Sequence, residues 1–177
     1  MASSRLTRGT GDRRENSEAD EELIMEEQKG SGTAGEISAL VCESDQDLRG
    51  RIGNSLKLKG YKPTFAETAA DAIGKMRLHL FNVVVVDELF DAANPEANEV
   101  LKYLGSQNMT TRRRFFVALV CRGFNTKDNM AAFSHSVNIV VNVADADETG
   151  EIIRQGAADN AEFYQIFNET LRKVGKG

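Results

Sequence analysis

The stretch Phe81-Asn82-Val83-Val84-Val85-Val86-Asp87 decides the fold class of this chain. Its four consecutive valines are β-branched and apolar, so both faces of the strand that they form are expected to be buried. A strand buried on both faces is typical of the centre of a parallel sheet with helices on both sides. The predicted strand covers residues 81–86 and delivers Asp87 at its carboxyl end.

Short apolar runs and amphipathic stretches alternate on both sides of this strand. This rhythm predicts repeated βαβ units whose strands form one parallel sheet. The predicted fold is therefore α/β, with a doubly wound, flavodoxin-like sheet of five parallel strands. The predicted strands cover residues 37–42, 62–67, 81–86, 115–120 and 137–143, and the predicted helices cover residues 46–58, 68–80, 97–106, 126–136 and 148–174.

A chain of 177 residues is long enough for one core of ordinary size and too short for two. We expect a domain over residues 36–150 and a C-terminal helical extension over residues 151–177, which packs on the domain or continues it. Residues 1–35 are poor in apolar side chains, which predicts a disordered acidic tail. Within this tail, residues 17–28 are compatible with a solvated segment or with a short docking helix.

The composition excludes several classes of function. A formal net charge of −5 gives no electrostatic reason to expect a nucleic acid or an anionic membrane as a partner. The basic run at residues 112–114 lacks interleaved aromatic residues, so it is interpreted as the solvated entry to a strand. No apolar run approaches the roughly 20 residues of a membrane helix, and no signal peptide is recognisable, which predicts a cytoplasmic protein.

Polar side chains follow the predicted strands at their carboxyl ends, where ligands bind in open parallel sheets. Carboxylates at the ends of neighbouring strands can converge on Mg²⁺, which prefers oxygen ligands. The first and third strands supply such carboxylates. The residues at these ends are Glu43, Ser44 and Asp45 after the first strand, Asp87 and Glu88 after the third, Val120, Cys121 and Arg122 at the fourth, and Asn142 in the fifth.

Four runs of sequence together resemble the receiver domain of two-component response regulators. They are residues 41–49, Gly60-Tyr61, residues 69–76 and residues 83–87, and the match in register covers about residues 36–150. The resemblance implies an acidic pair after the first strand that binds Mg²⁺ and an Asp after the third that accepts a phosphoryl group. It also implies a Ser or Thr after the fourth strand and a Lys at the end of the fifth.

Only two of these positions keep the residue type that the resemblance implies. Asp87 occupies the position of the phosphoryl acceptor, and Glu43 occupies the first acidic position. The resemblance thus makes Glu43 and Asp87 weak candidate ligands for Mg²⁺. Three positions depart from the pattern, with Ser44 in place of the second acid, Val120 or Cys121 in place of the hydroxyl, and Asn142 in place of the lysine. The loop after Asp87 also departs from the pattern.

These departures predict an atypical single-domain response regulator, or pseudo-receiver, that acts in signal transduction through protein–protein interaction and is not an enzyme. The alternative is a stand-alone receiver that a histidine kinase still phosphorylates on Asp87 in a phosphorelay. An enzyme of another α/β family is disfavoured, because the chain has none of the sequence motifs GxGxxG, GxxxxGK[ST] or GxSxG in the required context.

A candidate interface lies in the C-terminal helical region. Phe163, Ile166 and Phe167 recur there at helical spacing, which fits either a core-facing stripe or the interface of a homodimer. The resemblance implies an output surface made by the fourth helix, the fifth strand and the C-terminal helix. The segment Gly156-Ala157-Ala158 near the middle of the last region predicts a bend or a division into two helices.

Overall fold

The computed structural model describes residues 37–173, without the side chains of Thr110 and of residues 163–173. The predicted N-terminal tail lies outside the described residues. The strands are β1 (Ile37–Cys42), β2 (Tyr61–Ala66), β3 (Val83–Asp87), β4 (Phe116–Cys121) and β5 (Ile139–Asn142). The α-helices are α1 (Gln46–Leu58), α2 (Ala69–Leu78), α3 (Glu99–Ser106), α4 (Met109–Arg112), α5 (Asn129–Ser134) and α6 (Thr149–Lys173), and two 3₁₀ helices span Pro95–Ala97 and Val143–Glu148.

The five strands form one parallel sheet in the order β2-β1-β3-β4-β5. The predicted α/β fold with a doubly wound, five-stranded parallel sheet is confirmed. Strand β3 lies at the centre, and every one of its residues is buried. Its register sets Val86 opposite Cys42 of β1 and Leu119 of β4.

Alternate residues of β3 enter two different cores. Val83 and Val85 pack with side chains of α1 and α6 on one face of the sheet. Val84 and Val86 pack with side chains of α2 and α3 on the other face. A smaller cluster joins α5 to β4 and β5. Helices therefore cover both faces, as the run of valines predicts.

Polar side chains fix where the helices begin. Asp45 accepts a hydrogen bond from the backbone N–H of Leu48 and caps α1, and Thr68 caps α2 in the same way. Asn98 and Asp128 cap α3 and α5. After α1, Gly60 adopts a φ of +82°, which favours glycine and turns the chain into β2.

The structure corrects several predicted boundaries. The bounds of β1 and α1 are as predicted, whereas the other predicted strands and helices end within about three residues of the observed ones. Helix α4 and both 3₁₀ helices were absent from the prediction. The predicted division near Gly156 is wrong, because α6 is a single helix of 25 residues. The predicted domain boundary at residue 150 falls within its first turn.

Two glycines let α6 lie close to its neighbours. The backbone N–H of Gly150 donates to Ser55 Oγ in α1 at 2.9 Å, and a Cβ at Gly150 would lie 2.3 Å from the Ser55 carbonyl oxygen. A Cβ at Gly156 would lie 3.0 Å from the side chains of Ile139 and Phe116. Close packing against the strands therefore accounts for Gly156. None of the helices within residues 37–173 has both the length and the apolar content needed to cross a membrane.

The contact between α6 and α1 yields a stability prediction. Gly150→Ala is expected to lower the free energy of unfolding by about 1 to 3 kcal/mol, because the new methyl group meets a backbone carbonyl that cannot rotate away. Gly74→Ala is the matched control, since Gly74 lies in α2 and a Cβ there meets nothing within 4 Å. It should leave stability unchanged or raise it by up to about 1 kcal/mol. Urea denaturation measures both, and equal stabilities of the two variants would contradict the packing described here.

Candidate functional site

Two acidic side chains meet at the carboxyl end of the sheet. Cys42 and Val86 are paired in the register of β1 and β3, so the next residues, Glu43 and Asp87, are neighbours across the two strands. Their exposed fractions are 3% and 5%. The sheet therefore brings together the two acidic residues that the sequence singles out, and it buries both.

Each carboxylate has one oxygen bonded and one oxygen without a partner. Glu43 Oε1 accepts a hydrogen bond from the backbone N–H of Asp45, and Asp87 Oδ1 accepts one from that of Leu89. Glu43 Oε2 and Asp87 Oδ2 are buried and accept no hydrogen bond from any described group. Buried carboxylate oxygens without a hydrogen-bond partner are costly, so these two side chains destabilise the folded chain when they are ionised.

The pKa values of both carboxyl groups respond to this burial. Burial raises the pKa of Glu43 to about 7, the Asp45 N–H opposes the shift, and the charge of Asp87 adds to it. Burial also raises the pKa of Asp87, against the opposing effects of the Leu89 N–H and the Arg122 guanidinium. One proton near neutral pH therefore resides on Glu43 for much of the time.

Val120 and Cys121, the two candidates for the hydroxyl position, point to different cores. Val120 packs in the core under α1 and α6, and Cys121 packs in the cluster under α5. Cys121 is fully buried, and burial raises the pKa of its thiol. Neither side chain offers a hydroxyl donor to Asp87. Ser44 is exposed, and its neutral hydroxyl follows Glu43 directly.

Asn142 has a structural role at the end of β5. Its Nδ2 donates to the carbonyl oxygen of Phe124 at 2.7 Å, and its Oδ1 accepts from the backbone N–H of Ala144 at 2.9 Å. It therefore ties the loop after β4 to the 3₁₀ helix Val143–Glu148, which it caps. The side chain is a neutral amide, so it supplies no positive charge to Asp87.

Arg122, which the sequence places at the end of the fourth strand without assigning it a role, supplies a positive charge beside Asp87. Its Nη1 lies 3.9 Å from Asp87 Oδ2, and its backbone N–H donates to Glu88 Oε1 at 2.9 Å. The only available signal was its place one residue after β4. Arg122, Asp45 and Arg51 also line an open depression of about 350 Å³ beside the carboxylates.

Buried side chains anchor the loop after β3. Asn98 is fully buried, and its Nδ2 donates to the carbonyl oxygens of Asp87 and Glu88. Phe90 is almost fully buried in the core under α2 and α3 and anchors the loop there. Asp91 accepts a hydrogen bond from the first backbone N–H of α2, at Ala69. The unusual loop sequence thus holds Asp87 in place.

This chain resembles known proteins in its fold and not in its sequence. No protein-family model and no curated protein matches the sequence. Solved structures that match include the receiver domain of the Francisella response regulator 1452, at 16% sequence identity. The match covers 67% of this chain and 97% of that chain, with a TM-score of 0.51. A response regulator receiver domain from Clostridium thermocellum matches with 12% identity, 72% and 98% coverage and a TM-score of 0.54. The fold is that of a receiver domain.

A third similar structure is the chemotaxis response regulator CheY4 of Vibrio cholerae, with 14% identity, 66% and 98% coverage and a TM-score of 0.52. At these identities the likeness establishes the receiver fold and nothing more specific. It agrees with the resemblance seen in the sequence, because the shared fold places Glu43 and Asp87 at the ends of adjacent central strands.

The residues of this receiver fold do not fit a dedicated Mg²⁺ site. Two unbonded carboxylate oxygens would suit a cation, but Ser44 offers only a neutral hydroxyl and the Arg122 guanidinium lies beside Asp87. Among the described side chains, no three His, Cys, Asp or Glu residues are placed to hold one metal ion. Weak Mg²⁺ binding by Glu43 and Asp87 stays a prediction.

Phe163, Ile166 and Phe167 all lie on α6, in its C-terminal half. Their side chains are outside the described residues, so their role as core or interface stays a prediction. The described side chain that is nearest to them in sequence, Glu162, is exposed.

The burial of Glu43 yields a pH prediction. Between about pH 4.5 and 7 the folded chain holds a proton on Glu43 that the unfolded chain releases, so the free energy of unfolding should fall as pH rises through this window. Glu43→Gln cannot ionise. It should therefore be more stable than the parent chain by about 1 to 3 kcal/mol at pH 8, and this advantage should shrink below pH 5.

Urea denaturation between pH 4.5 and 8.5 measures this difference. Glu96→Gln is the matched control, because Glu96 is exposed and its replacement should change stability by less than about 0.5 kcal/mol at every pH. A Glu43→Gln variant that parallels the parent chain across the whole range would show that the burial of this carboxylate carries no cost.

Proposed function

We propose that this chain is an atypical, non-enzymatic receiver-fold module of a two-component signalling pathway, which acts through protein–protein interaction without normal phosphorylation of Asp87. The observation that carries the proposal is the bonding of Asn142. Both ends of its amide are engaged by backbone groups, so the end of β5 carries a structural cap in place of a cation. Phosphoryl transfer to Asp87 would lack that charge.

Two further positions favour the same conclusion. Ser44 offers a neutral hydroxyl where a carboxylate would bind a metal ion more strongly. Cys121 offers only a buried thiol, which is a weak donor to a phosphoryl oxygen. A charge-assisted hydrogen bond contributes about 1.5 to 3 kcal/mol, so the loss of a carboxylate and a lysine together would slow transfer roughly 10²- to 10⁴-fold.

A stand-alone receiver that is phosphorylated on Asp87 by a histidine kinase is the second candidate. Two features of the site favour it. Glu43 Oε2 and Asp87 Oδ2 are unbonded and could share a cation, and the Arg122 guanidinium lies 3.9 Å from the acceptor carboxylate. A guanidinium is a strong partner for phosphoryl oxygens. Burial offsets this advantage, because it raises the pKa of both carboxyl groups.

The proposed module needs a surface for its protein partner. Helix α5 presents Met130 and Phe133 to solvent, with exposed fractions of 75% and 81%. Exposed apolar side chains of this size are typical of contact surfaces when they cluster. They lie on the face that the resemblance implies for output, beside β5. A signalling protein of the cytoplasm, such as a histidine kinase, or a second copy of the chain is the proposed partner.

Beryllofluoride with Mg²⁺ separates the two candidates, because it imitates a phosphoryl group on an Asp carboxylate. We expect no saturable chemical-shift change around Asp87 in the full chain up to high millimolar Mg²⁺. The matched control is a variant that carries Ser44→Asp, Cys121→Thr and Asn142→Lys together. It regains the three missing groups and should bind at least tenfold more tightly than the parent chain.

A saturable response in the parent chain that Asp87→Asn abolishes would favour the phosphorylated receiver and contradict the proposal. If neither the parent chain nor the triple variant responds, then Ser44, Cys121 and Asn142 are not the reason why beryllofluoride fails to bind. Circular dichroism of each protein confirms that it is folded before the comparison is made.

A further inference from the structure

The loops at the amino edge of the sheet, where the strands begin, carry charge of one sign. This edge is formed by the segments before β2, β3, β4 and β5, which are residues 57–62, 77–82, 107–115 and 134–138. The four segments contain seven Lys and Arg residues and no Asp or Glu. Ten acidic and two basic residues lie in the loops of the opposite, carboxyl edge, which are residues 43–45, 67–68, 88–98, 122–128 and 143–148. The two edges of the sheet therefore have opposite charge.

The helix dipole explains part of this pattern. Lys57 and Arg77 lie in the last turns of α1 and α2, where the partial negative charge of the helix end favours a cation. Helix α6 brings Glu151 to Lys59, and Arg154 pairs with the same carboxylate. The dipole does not, however, account for the apolar side chains that are exposed between the bases.

These apolar side chains are concentrated at the amino edge. Leu58 lies between two lysines, and Leu78 lies between Arg77 and His79. Nine large apolar side chains are exposed among the described residues, and five of them belong to this edge. They are Ile37, which begins β1, Leu58 at 83% exposed, Leu78 at 80%, Leu80 and Met109. Single exposed apolar residues are ordinary, whereas several at one edge are typical of a contact surface.

Hydrogen bonds join the loops of this edge into one surface. Ser38 Oγ donates to the carbonyl oxygen of Leu80 at 3.2 Å, and the backbone N–H of Ser38 donates to Asn82 Oδ1 at 3.1 Å. The carbonyl oxygen of Asn82 accepts in turn from the backbone N–H of Phe116 at 2.9 Å. Arg112 Nη2 donates to the carbonyl oxygen of Ser136 at 2.6 Å. The loops are therefore held in place before a partner binds, which lowers the entropic cost of binding.

A depression of about 160 Å³ lies within this edge. Its lining includes Met109, Arg113, Asn138 and Asn160. An arginine and two side-chain amides supply donors suited to a carboxylate, and the methionine adds an apolar wall. Pockets for small-molecule ligands are larger, at about 300 to 1,000 Å³, so this depression suits a single side chain.

We propose that the amino edge is a docking surface for an acidic segment of a partner protein that also carries aliphatic side chains. The carboxylates of the segment pair with the bases of the edge, one of them in the depression beside Arg113, and its aliphatic groups cover Leu58 and Leu78. The edge lies at the end of the strands opposite Asp87. Docking there therefore adds a second site to the proposed function and does not depend on phosphorylation.

A short acidic segment fits this chain better than a nucleic acid or an anionic membrane. The formal net charge of the whole chain is −5 and the carboxyl edge is acidic, so the long-range field repels an extended polyanion. The Tyr and Phe side chains of the edge, which are Tyr61, Phe81 and Phe115, are buried and offer no face on which bases could stack. A short segment meets only the local positive charge.

Fluorescence anisotropy and NMR titration of the full chain test the surface. The probe is a fluorescein-labelled peptide of four Glu-Glu-Leu-Leu repeats, and we expect saturable binding with chemical-shift changes at Leu58, Leu78 and Met109. Matched peptides carry Lys in place of Glu, or Ser in place of Leu. Each should bind at least about tenfold more weakly, because each lacks one of the two kinds of contact. No saturable binding, or shift changes centred on Asp87 or Phe133, would overturn the proposal.

Variants of the edge separate the charged from the apolar contacts. Lys57→Glu with Arg113→Glu should weaken peptide binding at least about tenfold at low salt, and Leu58→Ser with Leu78→Ser should weaken it about threefold or more. Lys102→Glu with Lys127→Glu is the matched control, since both lysines are exposed outside this edge, and it should change binding less than about twofold. Circular dichroism and a thermal melt show that each variant is folded. Equal weakening by the control would attribute binding to net charge alone and reject the surface.

The remaining occupants are tested with the same chain. Vesicles of equimolar phosphatidylcholine and phosphatidylserine, or a DNA duplex of mixed sequence, would displace the proposed partner if either bound more tightly than the peptide. Sedimentation velocity of the parent chain examines a second copy. Self-association that Lys57→Glu with Arg113→Glu abolishes would assign the edge to that copy and overturn the proposal.

Discussion

The burial of β3 on both faces is the constraint on which the other features depend. Its four valines enter two cores, so the strand can occupy only the centre of the sheet, between β1 and β4. A shift by one residue would exchange the side chains of the two faces, which fixes the register. That register sets Asp87 beside Glu43 with no direct interaction between their side chains required. Packing of apolar residues therefore builds the polar site.

The buried carboxyl groups of this site destabilise the fold, and the packing of the apolar cores has to compensate for that cost. Two buried carboxyl groups with unbonded oxygens disfavour their ionised forms, and the Arg122 guanidinium at 3.9 Å only partly offsets this. The surrounding backbone is held firmly all the same. Asn98 bonds the carbonyl oxygens that follow β3, and Phe90 anchors the loop in the core. The sheet therefore holds Glu43 and Asp87 in a firmly bonded backbone, although one oxygen of each carboxylate has no hydrogen-bond partner.

Sequence reasoning succeeded where one strong local signal decides the structure. The valine run identifies β3, and the predicted bounds of β1 and α1 are those of the structure. It failed where the outcome depends on neighbours in space. Gly156 reads as a helix breaker, but it allows close contact with β4 and β5, and the role of Arg122 becomes visible only when the register of β3 and β4 is known. The positions of Glu43 and Asp87 were predictable, whereas their unbonded oxygens were not.

Asn142 links the carboxyl end of β5 to the rest of the molecule. The amide caps the 3₁₀ helix Val143–Glu148, and Asp147 in that helix pairs with Arg51 of α1. The same segment leads into α6, where Gly150 bonds to Ser55. A lysine at position 142 could not make both of these amide contacts, because it has no acceptor. The neutral amide at the end of β5 therefore also helps to fix the path of the chain toward α6.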